Sequence, residues 1–320
     1  MSISLTSATD TAALVAHNAR PSFIGILRGE FQKIARMRII WVMLILYVCV
    51  IVGPQIIFVT RSNIKSQIVS SPFNTLYTLM EVDLSLLRVF GGIFILVLAA
   101  HVIGLEYQHG TIRILLGRGV GRLQLLGAKT LALATIAAGI LLGGLAIEMA
   151  LDYVMIAAIV GNTTSITGLS SRFWVDARLY LLAIAISMGA TLLLGIAVAV
   201  VGRSLSFGLG VGLSWFAADN LGVLIMMLAY SFTQSDFWRN ITGFFLGPIL
   251  NTLPQYLIAP RTAVFPTEKG PQLISRAAQT IGASPLVSVS SQQALWVIAG
   301  YSAVFVGVAI VLTWRRDVLE

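Results

Sequence analysis

Six stretches of the chain are apolar for long enough to cross a hydrocarbon core about 30 Å thick, and polar residues collect mainly between them. They lie near 39–59, 84–104, 126–150, 178–201, 206–231 and 293–313, and the third is expected to continue as helix toward Val160. Ahead of the first, Phe23, Leu27, Phe31 and Ile34 recur at helical spacing, with Arg28, Gln32 and Arg36 on the other side. That pattern predicts an N-terminal amphipathic helix over 22–38, lying in the headgroup plane with its basic side toward anionic lipid. A plain basic flank that orients the first span is the simpler alternative.

Between the fifth and sixth runs the pattern changes. Six of the nine prolines fall over 233–292 (Pro248, Pro254, Pro260, Pro266, Pro271 and Pro285), which forbids one long helix there. Yet 241–258 is uncharged and rich in Phe, Leu and Ile. Short helices dipping partway into the outer leaflet, then a polar cap, are expected; an ordinary folded loop is the other reading.

Composition turns this pattern into a class. The 320 residues are 57% hydrophobic and 11% charged, with a mean hydropathy of +0.90. That charged fraction is about half of what a soluble domain carries, so the chain reads as an all-α polytopic membrane protein with six spans. The net charge of +8 then marks basic loops on one side of a membrane rather than nucleic-acid binding. Arg28, Lys33, Arg36 and Arg38 precede the first span, Arg113, Arg118 and Arg122 lie between the second and third with Lys129 opening the third, Arg203 follows the fourth, and Arg315 and Arg316 end the sixth. By the positive-inside rule both termini are cytoplasmic, in a plasma membrane of bacterial inner-membrane type. Residues 1–21 read as a disordered tail and 22–320 as one membrane domain. The first span would serve as an uncleaved anchor. The one cysteine, Cys49, excludes an intrachain disulfide.

The densest group of charges between spans is 106–129, EYQHGTIRILLGRGVGRLQLLGAK, where Arg113, Arg118, Arg122 and Lys129 stand against the single acid Glu106. Gly121 to Thr130 fails the phosphate-loop pattern, because Ala128 separates Gly127 from Lys129 and the glycine spacing is one residue too long. The chain is therefore expected to bind no cofactor. His17, His101 and His109 are not spaced as metal ligands, and no catalytic cluster stands out. An enzyme reading is set aside on that ground.

The order Glu106-Tyr107, Gly110-Thr111, Arg113, Leu115-Leu116, then Arg122 and Lys129 resembles the segment after the second span in integral membrane subunits of type 2 ABC exporters, the ABC-2 permease family. The amphipathic start, the six spans, the outer segment and the basic tail from Trp314 are similar to that family as well. What the resemblance implies is a coupling helix between spans 2 and 3 that docks on a cytoplasmic ABC ATPase dimer. Glu106, Gly110, Thr111, Ile112, Arg113, Leu115, Leu116 and Arg118 would carry the contact. Thr111 would cap the helix, Gly110 and Gly117 would bound it, and Ile112, Leu115 and Leu116 would seat in the partner's groove. ATP and magnesium would sit on that partner. A second permease subunit, identical or not, would complete a dimer moving an amphiphilic drug, peptide or lipid-like molecule outward. Gly139, Gly143, Gly144, Gly208, Gly210 and Gly212 are candidates for close helix approach at its interface. A scaffold that only docks a cytoplasmic partner is the alternative.

Charges within the spans are the remaining candidates. Asp219 lies about 20 Å from the cytoplasmic end of the fifth span and Arg88 about 7 Å from the outer end of the second. At such similar depths they would pair or line one polar cavity. Glu148 and Asp152 are a helical turn apart near the outer end of the third span. Being of like charge, they should face water or a basic partner such as Arg172 or Arg178. Binding of a cation there is the other reading.

Overall fold

The computed structural model describes residues 21–59, 72–160, 169, 171–258 and 284–315, and every regular element among them is helical. The tail expected over 1–21 lies, apart from Pro21, outside the described residues, as does most of the polar cap expected after 258.

Among the described residues six helices are long and apolar enough to cross a membrane: Arg38–Ile57, Leu79–Gln108, Arg122–Ile159, Ser171–Gly202, Leu205–Thr233 and Ser291–Arg315. They answer to the six expected spans, in order. The middle ones run well past their apolar stretches. The third is unbroken from Arg122 to Val160, 39 residues, or about 58 Å of helix. Its far end is supported laterally, because Met155 and Ile156 bury themselves against Leu76 and Leu79 of the second helix and Phe173 of the fourth. Tertiary packing sustains helix there, where apolar length alone would have ended it.

The second and fourth spans form the centre of the bundle, and few residues of the first, fifth and sixth are buried. Leu87, Ile95, Leu98, Ile184 and Leu194 are fully buried along the central pair. In lipid such contacts hold by dispersion and close fit rather than by escape from water. Small residues serve that fit within the chain. A Cβ on Gly144 would lie 2.4 Å from Leu87, one on Gly208 3.1 Å from Ala100, and one on Gly212 3.0 Å from Leu96. These three glycines are thus spent inside one subunit, whereas Gly139, Gly143 and Gly210 have open space beside them.

Ahead of the first span, the helix Phe23–Arg36 starts at Ser22, whose Oγ accepts from the Gly25 N–H at 3.1 Å, and stops at Met37, where the backbone is extended. Leu27, Phe31 and Ile34 pack on the protein core. Most of the predicted stripe therefore rests on the bundle rather than on acyl chains, while Phe23 stays exposed. Beyond the fifth span come a short helix, Asp236–Ile241, and then Leu246–Ile258, which holds Pro254 within it. At 13 residues this inserted helix is about 20 Å long, too short to span. It is enclosed by the fourth, fifth and sixth spans, with Leu246, Ile249, Leu250 and Leu253 fully buried.

Candidate functional site

The loop between the second and third spans is built on two glycines. Gly110 (φ +66°) and Gly119 (φ +83°) hold left-handed backbone that other residues adopt only at a cost. Between them Thr111–Gly117 forms a two-turn linker helix. The expected cap is different in fact: Gly110 is the N-cap, with no side chain to offer, and the Thr111 hydroxyl donates instead to the Glu106 carbonyl at 3.3 Å. The exit turn is made by Arg118 and Gly119 rather than Gly117, as the Gly119 N–H donates to Leu116 O at 3.0 Å and the Val120 N–H to Leu115 O at 3.4 Å. Ile112 is buried, and Leu116 faces a small void shared with Ile103, Tyr107 and Leu125 of this same chain. Those two side chains are committed inward and Leu115 is half-buried. Arg113, Ile114 and Arg118 are exposed on its outer side.

Beneath the linker helix lies a feature that sequence reasoning missed. Lys129, on the first turns of the third span, is only 2% exposed. Its Nζ is 2.7 Å from Glu106 Oε1 and 2.8 Å from Glu30 Oε1. Lys33 completes the ring, bonding Glu30 Oε2 at 2.8 Å and also Glu106. Four alternating charges thus join the amphipathic helix, the end of the second span and the start of the third. Neutral overall, the ring pays less for desolvation than any lone charge there would. Burial pushes the Glu30 carboxyl up, but Lys129 and Lys33 outweigh it and hold the group below its ordinary 4.5. For Lys33 burial works downward, and Glu106 and Glu30 carry the ammonium above its ordinary 10.5. The available signal was Lys129 itself, an amine inside an apolar run, with Glu30 and Lys33 one turn apart on the preceding helix.

A second polar group lies at the opposite end of the same two spans. Gln55 Nε2 donates to both oxygens of Asp83 at 2.8 Å and to Asp152 Oδ1 at 3.1 Å. Glu148, one turn back along the third span, is 2% exposed, and neither of its oxygens has a partner among the described residues. So Glu148 does not face water, and half-buried Asp152 turns to Gln55 rather than to Arg172 or Arg178. Asp83, Glu148 and Asp152 all line a cavity of about 300 Å³ between the second, third and fourth spans.

With that geometry in place, comparison with known families is decisive. Residues 26–219 match the model of the ABC-2 family transporter proteins. The chain belongs to the ABC-2 transporter family. No curated protein matches it. An ABC-2 protein is the membrane part of a transporter and implies an ATPase subunit as its partner. The matched region holds the whole ion ring, the linker helix and the acidic cavity, and it stops ahead of the inserted helix and the sixth span.

Arg88 and Asp219 of this ABC-2 protein, expected to pair or share a cavity, do not pair. Arg88 Nη1 donates to Leu250 O at 3.1 Å and to Asn251 Oδ1 at 2.9 Å. Asp219 Oδ2 accepts from the Gly247 N–H at 2.8 Å. Both hold the inserted helix. Asp219 meets its positive N-terminal end and Arg88 meets acceptors one turn further along. Matching depth identified the two residues together, but the peptide groups of a short helix between them serve as the partner of each.

Proposed function

We propose that this chain is the permease subunit of an ATP-driven exporter whose engine is a pair of cytoplasmic ABC ATPase subunits on separate chains. The carrying observation is that the linker helix presents Arg113, Ile114 and Arg118 outward while its first residue, Thr111, bonds the carbonyl of Glu106, a member of the buried ring of Glu30, Lys33, Glu106 and Lys129. A push on such a helix reaches three elements at once, since the ring ties the amphipathic helix to two spans. Arginines on its exposed side suit acidic residues on a partner's rim. In this reading that end of the bundle is cytoplasmic, and both termini with it. ATP and magnesium bind on the partner, and this chain has no ATPase site of its own. A second permease subunit supplies the other half of the path, and the cargo is amphiphilic and leaves outward.

Co-purification tests the reading. Wild-type chain extracted in detergent from its own host should retain a soluble ATPase with a phosphate-binding loop, and the Arg113→Glu, Arg118→Glu variant should lose it while inserting at the same level. Equal retention by both would reject this face as the docking surface. With no ATPase in either sample, a scaffold that docks another cytoplasmic partner becomes the better reading.

A further inference from the structure

The cavity at the far end of the second and third spans has three acids on its wall. Apolar and aromatic side chains form most of the lining, among them Leu145, Tyr153, Phe173 and Trp174. Arg178 is the one basic side chain on the lining, and it is exposed. Asp83 and Asp152 share the Gln55 amide, whereas buried Glu148 lines the same space with both oxygens unpartnered. A buried carboxylate without a donor or counter-charge is costly, and among the described residues Glu148 has only the cavity to face. Among the described residues no such group is arranged to hold a metal ion. A small, hard cation would also gain little from a mainly apolar lining.

We infer that this cavity binds an amphiphilic organic cation, its charge set against Glu148 with Asp152 and Asp83 behind, and its apolar body against Phe173, Trp174 and Leu145. Aromatic faces add attraction for a diffuse positive charge. The volume, about 300 Å³, falls at the lower end of the range for small-molecule pockets. The acids also lie on the two helices that carry the ion ring. Asp83 and Glu106 are twenty-three residues apart on the second span, and Lys129 and Asp152 twenty-three apart on the third. Occupancy at one end therefore bears on the same pair of helices that the linker moves at the other. Naming the bound cation as cargo rests on the exporter reading; the binding site does not.

The test needs no ATPase and no transport. Radiolabelled tetraphenylphosphonium is titrated onto the purified full-length chain in detergent, with tetraphenylborate as the counterpart of like shape and opposite charge. Wild type should bind the cation saturably and the anion at least tenfold more weakly. Glu148→Gln should weaken the cation tenfold or more and leave the anion unchanged or tighter. Leu145→Trp, which fills the cavity and keeps every carboxylate, should abolish binding and covers the case in which Glu148→Gln fails to fold. Absence of saturable cation binding, equal affinity for both ions, or binding untouched by both substitutions would overturn the proposal. Since binding is read without the partner, cation binding in a chain that recruits no ATPase would reject the exporter reading and keep the site.

Discussion

Lys129 Nζ and Glu106 Oε1 meet at 2.7 Å, which closes the loop carrying the linker helix with a buried ion pair at its base. The loop cannot shift as a unit without straining this pair or carrying both spans with it. Removing one member of a buried pair leaves the other charged and unsolvated, at a cost of about 3–5 kcal/mol. Lys129→Met should therefore lower stability by about that amount, read as the midpoint of unfolding in mixed micelles. Adding Glu30→Met should recover part of the loss, because Lys33 and Glu106 then form a neutral pair. An unchanged midpoint in the single variant would sink this account.

Stability should also follow pH through the members of the ring that lie on the amphipathic helix. The Glu30 carboxyl is held below its ordinary 4.5, so its contribution is full above that value and is lost as pH falls through its folded-state value. Lys33 is held above its ordinary 10.5, so its contribution is full below that value and is lost as pH rises through the higher one. A melting temperature recorded across pH should show a plateau between these limits with a fall on either side. Glu30→Gln should flatten the acid fall and Lys33→Met the alkaline one. An acid fall unchanged by Glu30→Gln and an alkaline fall unchanged by Lys33→Met would contradict the assignment.

Arg88 and Asp219 act on one inserted helix at separate points, so each should loosen it independently. Hydrogen bonds to charged groups are worth about 1.5–3 kcal/mol. With exposed Cys49 replaced by Ser, a cysteine placed at buried Thr252 reports the seating of that helix. Its maleimide reaction rate should rise by about tenfold or more in Arg88→Ala and again in Asp219→Asn. If neither substitution changes the rate, these contacts do not hold the helix.

Glycines at three places should respond differently to alanine. At Gly110 and Gly119 a Cβ meets nothing within 4 Å, and only the positive φ penalises it, at about 1–2 kcal/mol. At Gly104 the Cβ would lie 2.9 Å from the Leu205 backbone, which cannot rotate aside; the expected loss is about 1–3 kcal/mol. Gly139→Ala enters open space and should change stability by no more than about 0.5 kcal/mol. Parallel unfolding curves for the four variants would check this ranking.

The spans, the linker and the inserted helix were legible because each leaves a local mark: an apolar run, a basic gap, an uncharged stretch between prolines. The ring was not legible as a ring. Glu30 and Lys129 are 99 residues apart, and no periodicity reports which helices stand side by side. The same limit misdirected the reading of Ile112 and Leu116. Helical spacing shows that a face is apolar and leaves open whether this chain or another covers it. Like charges at 148 and 152 were expected to seek water or a basic partner because Asp83 and Gln55, far off in sequence, could not be seen beside them.

Just before the linker, the second span widens into a π-helical turn over Ala100–Gly104. Such a turn holds one residue more than α-helical winding allows, and one residue rotates everything after it by about 100°. Glu106 owes its azimuth to that surplus. Winding the same residues as uniform α-helix would swing the carboxylate about a quarter-turn away from Lys129 and Lys33, with the composition of the ring intact. The register of a single helical turn, and not the identity of its side chains, decides whether the four charges close.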